Sequence, residues 1–436
     1  MRRPASLLSP SVAPSARATR VLAAAMYTAL HVSVAGCSPE PLDPSAGVPD
    51  AAPQDVPTPS LIDAGGPAPD AAAPITVAHV PVDGAFPGDL KLILGDGAVI
   101  DTDALRIDGV EYAGEPGDPV VFDAWPQSRN GPEMAVLHVG DFGIEDGVVQ
   151  VRGGRPLVII AAREIVLAGA LDAGARGATP GPGGFAPGEG PGAGADGQHA
   201  GDNQDGGGGG GGHGSAGGDG GTATSQGVVA PGGPGGGTTG VAAIDILQGG
   251  SGGGLGAAIE SDLGECPPSL GGAGGGAVQL TAFDRIRIEA DGAVLAGGGG
   301  GLGGTSGLAC APAAGGGGGG GGGAIYLQAP IVLHRGLLAA GGGGGGSGGD
   351  LGESSPGSDG LADVVAAPGG SQTFDVGHAG GCGDAAVVEC IRSGAIGAGN
   401  GGGGGGGAGR IAVAAGPGRY DVQDGRASPS VNVISE

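Results

Sequence analysis

Apolar residues recur along this chain as short runs grouped in threes. Residues 157–174 (LVIIAAREIVLAGALDAG), 277–297 (AVQLTAFDRIRIEADGAVLAG) and 324–341 (AIYLQAPIVLHRGLLAAG) each hold three such runs, closing on Ala or Gly. Within 277–290, Val278, Leu280, Ile286 and Ile288 alternate with Gln279, Arg287 and Glu289. Ile325 and Leu327 likewise alternate with Tyr326 and Gln328. A period of two predicts strands with one buried and one wet face. A degenerate fourth copy lies at 410–414 (RIAVA), and upstream runs (AVLHV, FGIEDG, VVQVRG) begin near Met134. Spacings of six to eight residues leave no room for helices. Weaker β-type fragments at 75–77, 90–94, 105–110 and 120–122 are separated by Gly, Asp and Pro, which are turn residues.

A single trio of strands cannot bury its own apolar face, but stacked trios can. The pattern therefore predicts an all-β chain, a right-handed parallel β-helix (β-solenoid) with long polyglycine insertions. The alternative is a β-sandwich carrying a glycine-rich insertion. The copies start at 157, 277, 324 and about 408. Such uneven steps require long inserted segments.

Those segments hold Gly206–Gly212, Gly297–Gly301, Gly315–Gly323, Gly341–Gly346 and Gly401–Gly407. Gly is 110 of 436 residues, without the G-X-Y period of collagen. Ordering a glycine costs about 1–2 kcal/mol of backbone entropy with no side chain to bury in return. Two states follow. One is a flexible loop. The other is a polyproline-II-like form in which bare backbones pack side by side and exchange hydrogen bonds. In that form the nine-residue run would span about 28 Å and its amides would exchange slowly.

Residues 1–36 carry Arg2, Arg3, Arg17 and Arg20, no acids, and an apolar stretch at 21–35. This reads as a secretion signal. Its end, Val34-Ala35-Gly36-Cys37, resembles the bacterial lipobox. That resemblance implies lipidation of Cys37, which anchors the chain in a membrane. With Ser38 next, it implies placement at the outer membrane or cell surface. Residues 37–74 are rich in Pro, Ala and Asp and read as an extended tether. Residues 75–135 read as an N-terminal β segment or cap, and 136–436 as the glycine-rich β-helical repeat domain.

The formal charge is −26, and Lys91 is the only lysine. That argues against a nucleic-acid partner. Cys266, Cys310, Cys382 and Cys390 form an even set in an exported chain and suggest two disulfides. Short loops close most easily, which favours Cys382 with Cys390 and Cys266 with Cys310; three connectivities exist. No CxxC occurs.

Catalytic signals are thin, and no catalytic residue is assigned. GxSxG occurs at Gly249-Ser251-Gly253 and Gly345-Ser347-Gly349, away from any strand-to-helix elbow. Asp284, Arg285, Arg287, Glu289 and His334 are the residues a polysaccharide lyase or hydrolase would use. Salt-bridged strand exteriors explain them equally well. The chain calls for no cofactor or resident metal. The loop holding His199, Asp202, Asp205, His213 and Asp219 is the one place where Ca²⁺ or Zn²⁺ would find ligands, but it lacks EF-hand spacing.

The succession VLHVG, RPLVIIAA, ILQGGSGGG, GGAGGGAVQL and GGGGGGGGGAIYLQA resembles a group of secreted glycine-rich bacterial repeat lipoproteins, PE-PGRS-like but without the PE region. The resemblance covers roughly 100–415. It implies a structural or adhesive role at the cell surface, with polysaccharide or other surface proteins as partners. A polysaccharide-active enzyme is the alternative.

Overall fold

The computed structural model describes residues 76–80, 90–108, 110–111, 121–200, 204–225, 227–257, 260–261, 264–265, 267–305, 314–349, 354–371, 379–385, 393–396 and 399–435. The signal segment, Cys37 and the tether lie outside them. The strands open with β1 (Lys91–Leu94), β2 (Val99–Asp101), β3 (Arg106–Ile107), β4 (Val110–Glu111) and β5 (Val121–Trp125). Then come β6 (Met134–Val139), β7 (Asp141–Ile144), β8 (Val148–Arg152), β9 (Leu157–Ala161), β10 (Glu164–Leu167) and β11 (Ala170–Asp172). Two small hairpins follow, β12 (Ala223–Ser225) with β13 (Val228–Ala230) and β14 (Glu260–Ser261) with β15 (Gly264–Glu265). The remainder are β16 (Ala277–Ala282), β17 (Arg285–Ile288), β18 (Ala293–Leu295), β19 (Ala324–Ala329), β20 (Ile331–His334), β21 (Leu337–Ala339), β22 (Arg410–Ala415), β23 (Tyr420–Val422), β24 (Arg426–Ser428) and β25 (Val431–Ser435).

Three large sheets result. Sheet A has the order β1-β7-β10-β17-β20-β23 and is parallel throughout. Sheet B runs β24-β21-β18-β11-β8-β2-β3-β4, with β3 and β4 antiparallel at its end. Sheet C runs β25-β22-β19-β16-β9-β6-β5, with β5 antiparallel. Their inner faces share one aliphatic core. In sheet C, Leu137, Ile159, Leu280, Leu327 and Val413 lie in register and are each fully buried. In sheet A, Phe142, Ile165, Ile286 and Val332 do the same. The alternation read from sequence puts Val278, Leu280, Ile286, Ile288, Ile325 and Leu327 on the inner face, and all six are buried.

The architecture built from those strands differs from both expectations. The sheets are mostly parallel, so the antiparallel sandwich is excluded. The body is also not a β-solenoid with loops thrown outward. Between one trio of strands and the next, the chain leaves the sheets for residues 173–276, 296–323 and 340–409. Those segments do not coil on with the strands. Their described parts build a second body, mainly of glycine backbone, which also carries the two small hairpins. Short apolar runs predict strands but carry no information about what the intervening glycines pack against.

That second body is a hydrogen-bonded lattice. Gly315–Gly323 is its centre. Gly316, Gly319 and Gly322 donate to the carbonyls of Gly401, Gly404 and Gly407 at 2.8–2.9 Å. Gly317, Gly320 and Gly323 donate to Leu302, Gly299 and Ala296, and Gly315, Gly318 and Gly321 to Ala257, Gly254 and Ser251. Every third residue faces the same neighbour, which is the threefold screw of the polyproline-II form. The same tract accepts from Gly208 and Gly211, from Gly272 and Gly275, and from Gly343 and Gly346. It is therefore surrounded by six other tracts. A methyl group added at Gly318 would overlap the carbonyl of Gly209, and one at Gly320 the carbonyl of Ala273. Only glycine permits this approach.

The sheets set the lattice register. Gly315–Gly323 runs straight into β19, 270–276 into β16 and 400–409 into β22, and these three strands are neighbours in sheet C. Tracts leaving β18 and β21 are neighbours too: Gly298 donates to Gly341 and Gly301 to Gly344, both at 2.9 Å. A tract pinned at one end by a strand has less entropy to lose than a free loop. That offsets part of the glycine ordering cost, which single hydrogen bonds worth about 0.5–1.5 kcal/mol would not cover alone.

One face predicted to be wet is covered. Gln279, Tyr326 and Gln328 on the outer side of sheet C are at most 5% exposed. Residues 76–80 cross them as a strap. Gln328 accepts from the Ala78 amide (3.0 Å) and donates to the Thr76 carbonyl (2.9 Å). Gln279 donates to the Ala78 carbonyl (2.9 Å) and contacts His79 Nδ1 through Oε1 (2.7 Å). The amide side chains give hydrogen-bond partners to the strap's backbone, which is half-buried at Ala78.

Candidate functional site

Sheet A keeps its outer face open, and the strand alternation decides what stands on it. Three rows cross the strands. The first is Lys91, Asp141, Glu164, Arg285 and Ile331. The second is Ile93, Gly143, Val166, Arg287, Leu333 and Asp421. The third, just past the strand ends, includes Glu145, Ala168, Glu289 and Arg335, tied in by backbone bonds to the neighbouring strand. Gly143 lies between Ile93 and Val166, and the end of the Ile93 side chain leans over it. A concavity of 270 Å³ opens there, lined by Lys91, Ile93, Asp141, Gly143, Glu164 and Val166 among others. A second, of 200 Å³, is lined by Arg285, Arg287, Glu289, Leu333 and Arg335 together with Ile288.

The charges on this face are organised. Arg163 grips Asp141 through both Nε (3.0 Å) and Nη2 (2.6 Å). The Arg163 hydrogen bond, with the Glu164 amide and Lys91 assisting, holds the Asp141 carboxyl below the usual range despite partial burial. Arg287 bonds Glu289, and Arg335 approaches the same carboxylate at 3.6 Å while bonding Gln423. Arg285 lies 3.6 Å from Glu164. All three arginine side chains remain 40–50% exposed. A guanidinium carries five donors, so each keeps N–H groups free for an incoming oxyanion.

The residues singled out for catalysis are only partly brought together. Arg285, Arg287 and Glu289 share the outer face, with Asp284 exposed in the turn before β17. His334 faces the other way. It is buried, stacks on Tyr420 with ring centroids 6.2 Å apart, and its Nδ1 lies 3.0 Å from the Tyr420 hydroxyl. Burial lowers the His334 pKa and pushes Tyr420 up to about 12. Asp141, Glu145, Glu164 and Arg163 were not singled out from sequence. Their signal was present as outward positions of predicted strands or their bends, but nothing in the sequence aligned β7 with β10.

The candidate metal loop is divided among separate tasks. His199 Nδ1 meets Asp205 Oδ1 at 2.7 Å, and the Asp205 amide donates to Asn400. His213 sits at the far end of the Gly206–Gly212 tract, its Nδ1 2.9 Å from the Gly322 carbonyl. Asp219 accepts from the Gly235 amide. An extended tract from 205 to 213 spans about 25 Å, so Asp205 and His213 cannot share one ion. Asp202 lies outside the described residues. Among those described, no three His, Cys, Asp or Glu side chains cluster as metal ligands. Both GxSxG serines are lattice members. Ser251 Oγ accepts from the Gly192 amide, and Ser347 Oγ exchanges bonds with Ser355. Cys382, on an outer tract, is disulfide-bonded. Cys266, Cys310 and Cys390 lie outside the described residues.

No known protein family, curated protein or solved structure matches this chain.

Proposed function

We propose that this chain is an exported, lipid-anchored structural or adhesive protein of the outer membrane or cell surface, and that sheet A is its adhesive face toward acidic polysaccharide. The lipobox-like Val34–Cys37 and the Pro-rich tether support the location. The observation that carries the adhesive reading is the charge distribution. In a chain of net charge −26 with 18 Lys and Arg in total, this face sets Lys91, Arg163, Arg285, Arg287 and Arg335 against Asp141, Glu145, Glu164, Glu289 and Asp421, which leaves it near neutral where the rest of the chain is acidic. Exposed arginines offer planar, bidentate recognition of uronate carboxylates. The strand spacing of about 4.8 Å is close to one pyranose repeat, so a glycan lying across the strands would meet successive side chains in step.

The expected result is retention of the protein on an immobilised uronic-acid polysaccharide, weakening as salt is raised. The double substitution R285Q/R287Q is expected to reduce that retention at least tenfold while shifting the unfolding midpoint little, because both ion pairs are partly solvent-exposed. Equal retention of the variant would contradict the reading. The second reading, a polysaccharide-active enzyme, is favoured by the adjacency of Asp141 and Glu164 at the larger concavity. It predicts new reducing or unsaturated ends on the bound glycan, abolished in E164Q.

A further inference from the structure

The sheets finish differently at their two limits. At the first, β5 closes over β6, and β3 and β4 fold back over β2. Phe122 and Ile107 are buried there. At the second limit the last strands are β23, β24 and β25, and among the described strands each pairs on one side only. The core columns stop abruptly. Val433 continues the register of Leu137, Ile159, Leu280, Leu327 and Val413, all fully buried, yet it is 55% exposed. Val422 continues the column of Ile288 and His334, yet it is 49% exposed. Side chains in core-facing positions, beside the edge strand β25, meet water.

We propose that this end is a self-association surface, on which a second copy of the chain docks end to end about a two-fold axis with β25 pairing antiparallel to its counterpart. An occupant must supply extended backbone and alternating apolar side chains together. β25 (Val431–Ser435, VNVIS) supplies both, and a two-fold relation makes its self-pairing antiparallel. Charge also selects this end. Residues 419–436 carry Arg419 and Arg426 against Asp421, Asp424 and Glu436, a sum of −1. Elsewhere a net charge of −26 makes two copies repel. Here a charge close to zero weakens that repulsion and lets one copy's arginines meet the other's aspartates. The tether at 37–74 is a poorer occupant, because its prolines lack the amide a ladder requires and it has no alternating apolar residues.

The test is light scattering on the full chain carrying C37S, so that no lipid drives micelle formation, across a concentration series. The expected mass is twice the monomer's at about 100 µM, falling toward the monomer on dilution through a Kd on the order of 1 µM. V433D is expected to raise that Kd at least tenfold, with the thermal midpoint measured on the same sample unmoved because Val433 is half in solvent. V422D serves as an independent second variant at a site on another sheet. A chain that stays monomeric at about 100 µM overturns the proposal. So does a dimer insensitive to both substitutions, which would place the contact elsewhere.

Discussion

Gly318→Ala is expected to destabilise the protein by about 3 kcal/mol or more, measured as the shift in urea unfolding free energy. Two effects oppose each other. Alanine reduces the entropy of the unfolded chain, which favours folding by about 0.4–1 kcal/mol. Against that, the new methyl meets the Gly209 carbonyl, with the Gly208 oxygen close behind. Backbone hemmed in on six sides cannot swing aside as a side chain end would, so the steric cost wins. Gly237→Ala is the control. Gly237 is an exposed residue of an outer tract with open space where its Cβ would be. That substitution is expected to stay within about 0.5 kcal/mol of the parent. Equal behaviour of the two variants would mean that the central tract is not close-packed.

Acidification is expected to remove several kcal/mol of stability between about pH 6.5 and pH 4, chiefly through two histidines. His138 and His213 are 7% and 3% exposed, and burial pulls each down to about 4. A base with a depressed folded pKa stabilises the fold above its unfolded value near 6.5. That contribution is lost as pH falls toward the folded value, because the unfolded chain binds the proton first. Integrated over the window, each histidine accounts for about 3 kcal/mol. Asp205 works in the opposite direction. It is fully buried, and desolvation raises it to about 6, only partly countered by His199. It therefore favours the fold as pH drops from about 6 through its ordinary value and cancels roughly one histidine. The net expectation is a loss of about 3 kcal/mol, read from unfolding midpoints at pH 7.5, 5.5 and 4.5. His213→Asn is expected to flatten most of this slope. A midpoint that rises steadily on acidification would contradict the histidine assignments.

How much of this was legible depends on whether a side chain reports its neighbour. The strands were legible because Val278, Leu280, Ile325 and Leu327 alternate with polar residues. The covered side of sheet C was not, because Gln279 and Gln328 look solvent-facing until residues 76–80 lie across them. The lattice was half legible. In outer tracts only the outward position tolerates a side chain, so Pro231, Pro234 and Gly237, or Ala216 and Asp219, recur at intervals of three with glycine between. In the central tract all three positions face backbone, so every residue is glycine and the period vanishes. Pure polyglycine is what a fully surrounded threefold chain must look like, and it is indistinguishable in composition from a loose linker. The charged face on sheet A needed the strand register, which no single strand reveals.

The measurement that bears most directly on the glycine lattice is amide hydrogen exchange across Gly315–Gly323, resolved by residue or by short peptides. Its amides donate to Ala257, Gly401, Leu302 and their successors inside a buried body. They are predicted to exchange as slowly as the core amides of β16 and β19. Exchange at the rate of an unstructured glycine peptide would show the tract to be an open loop and would remove the basis for the fold described.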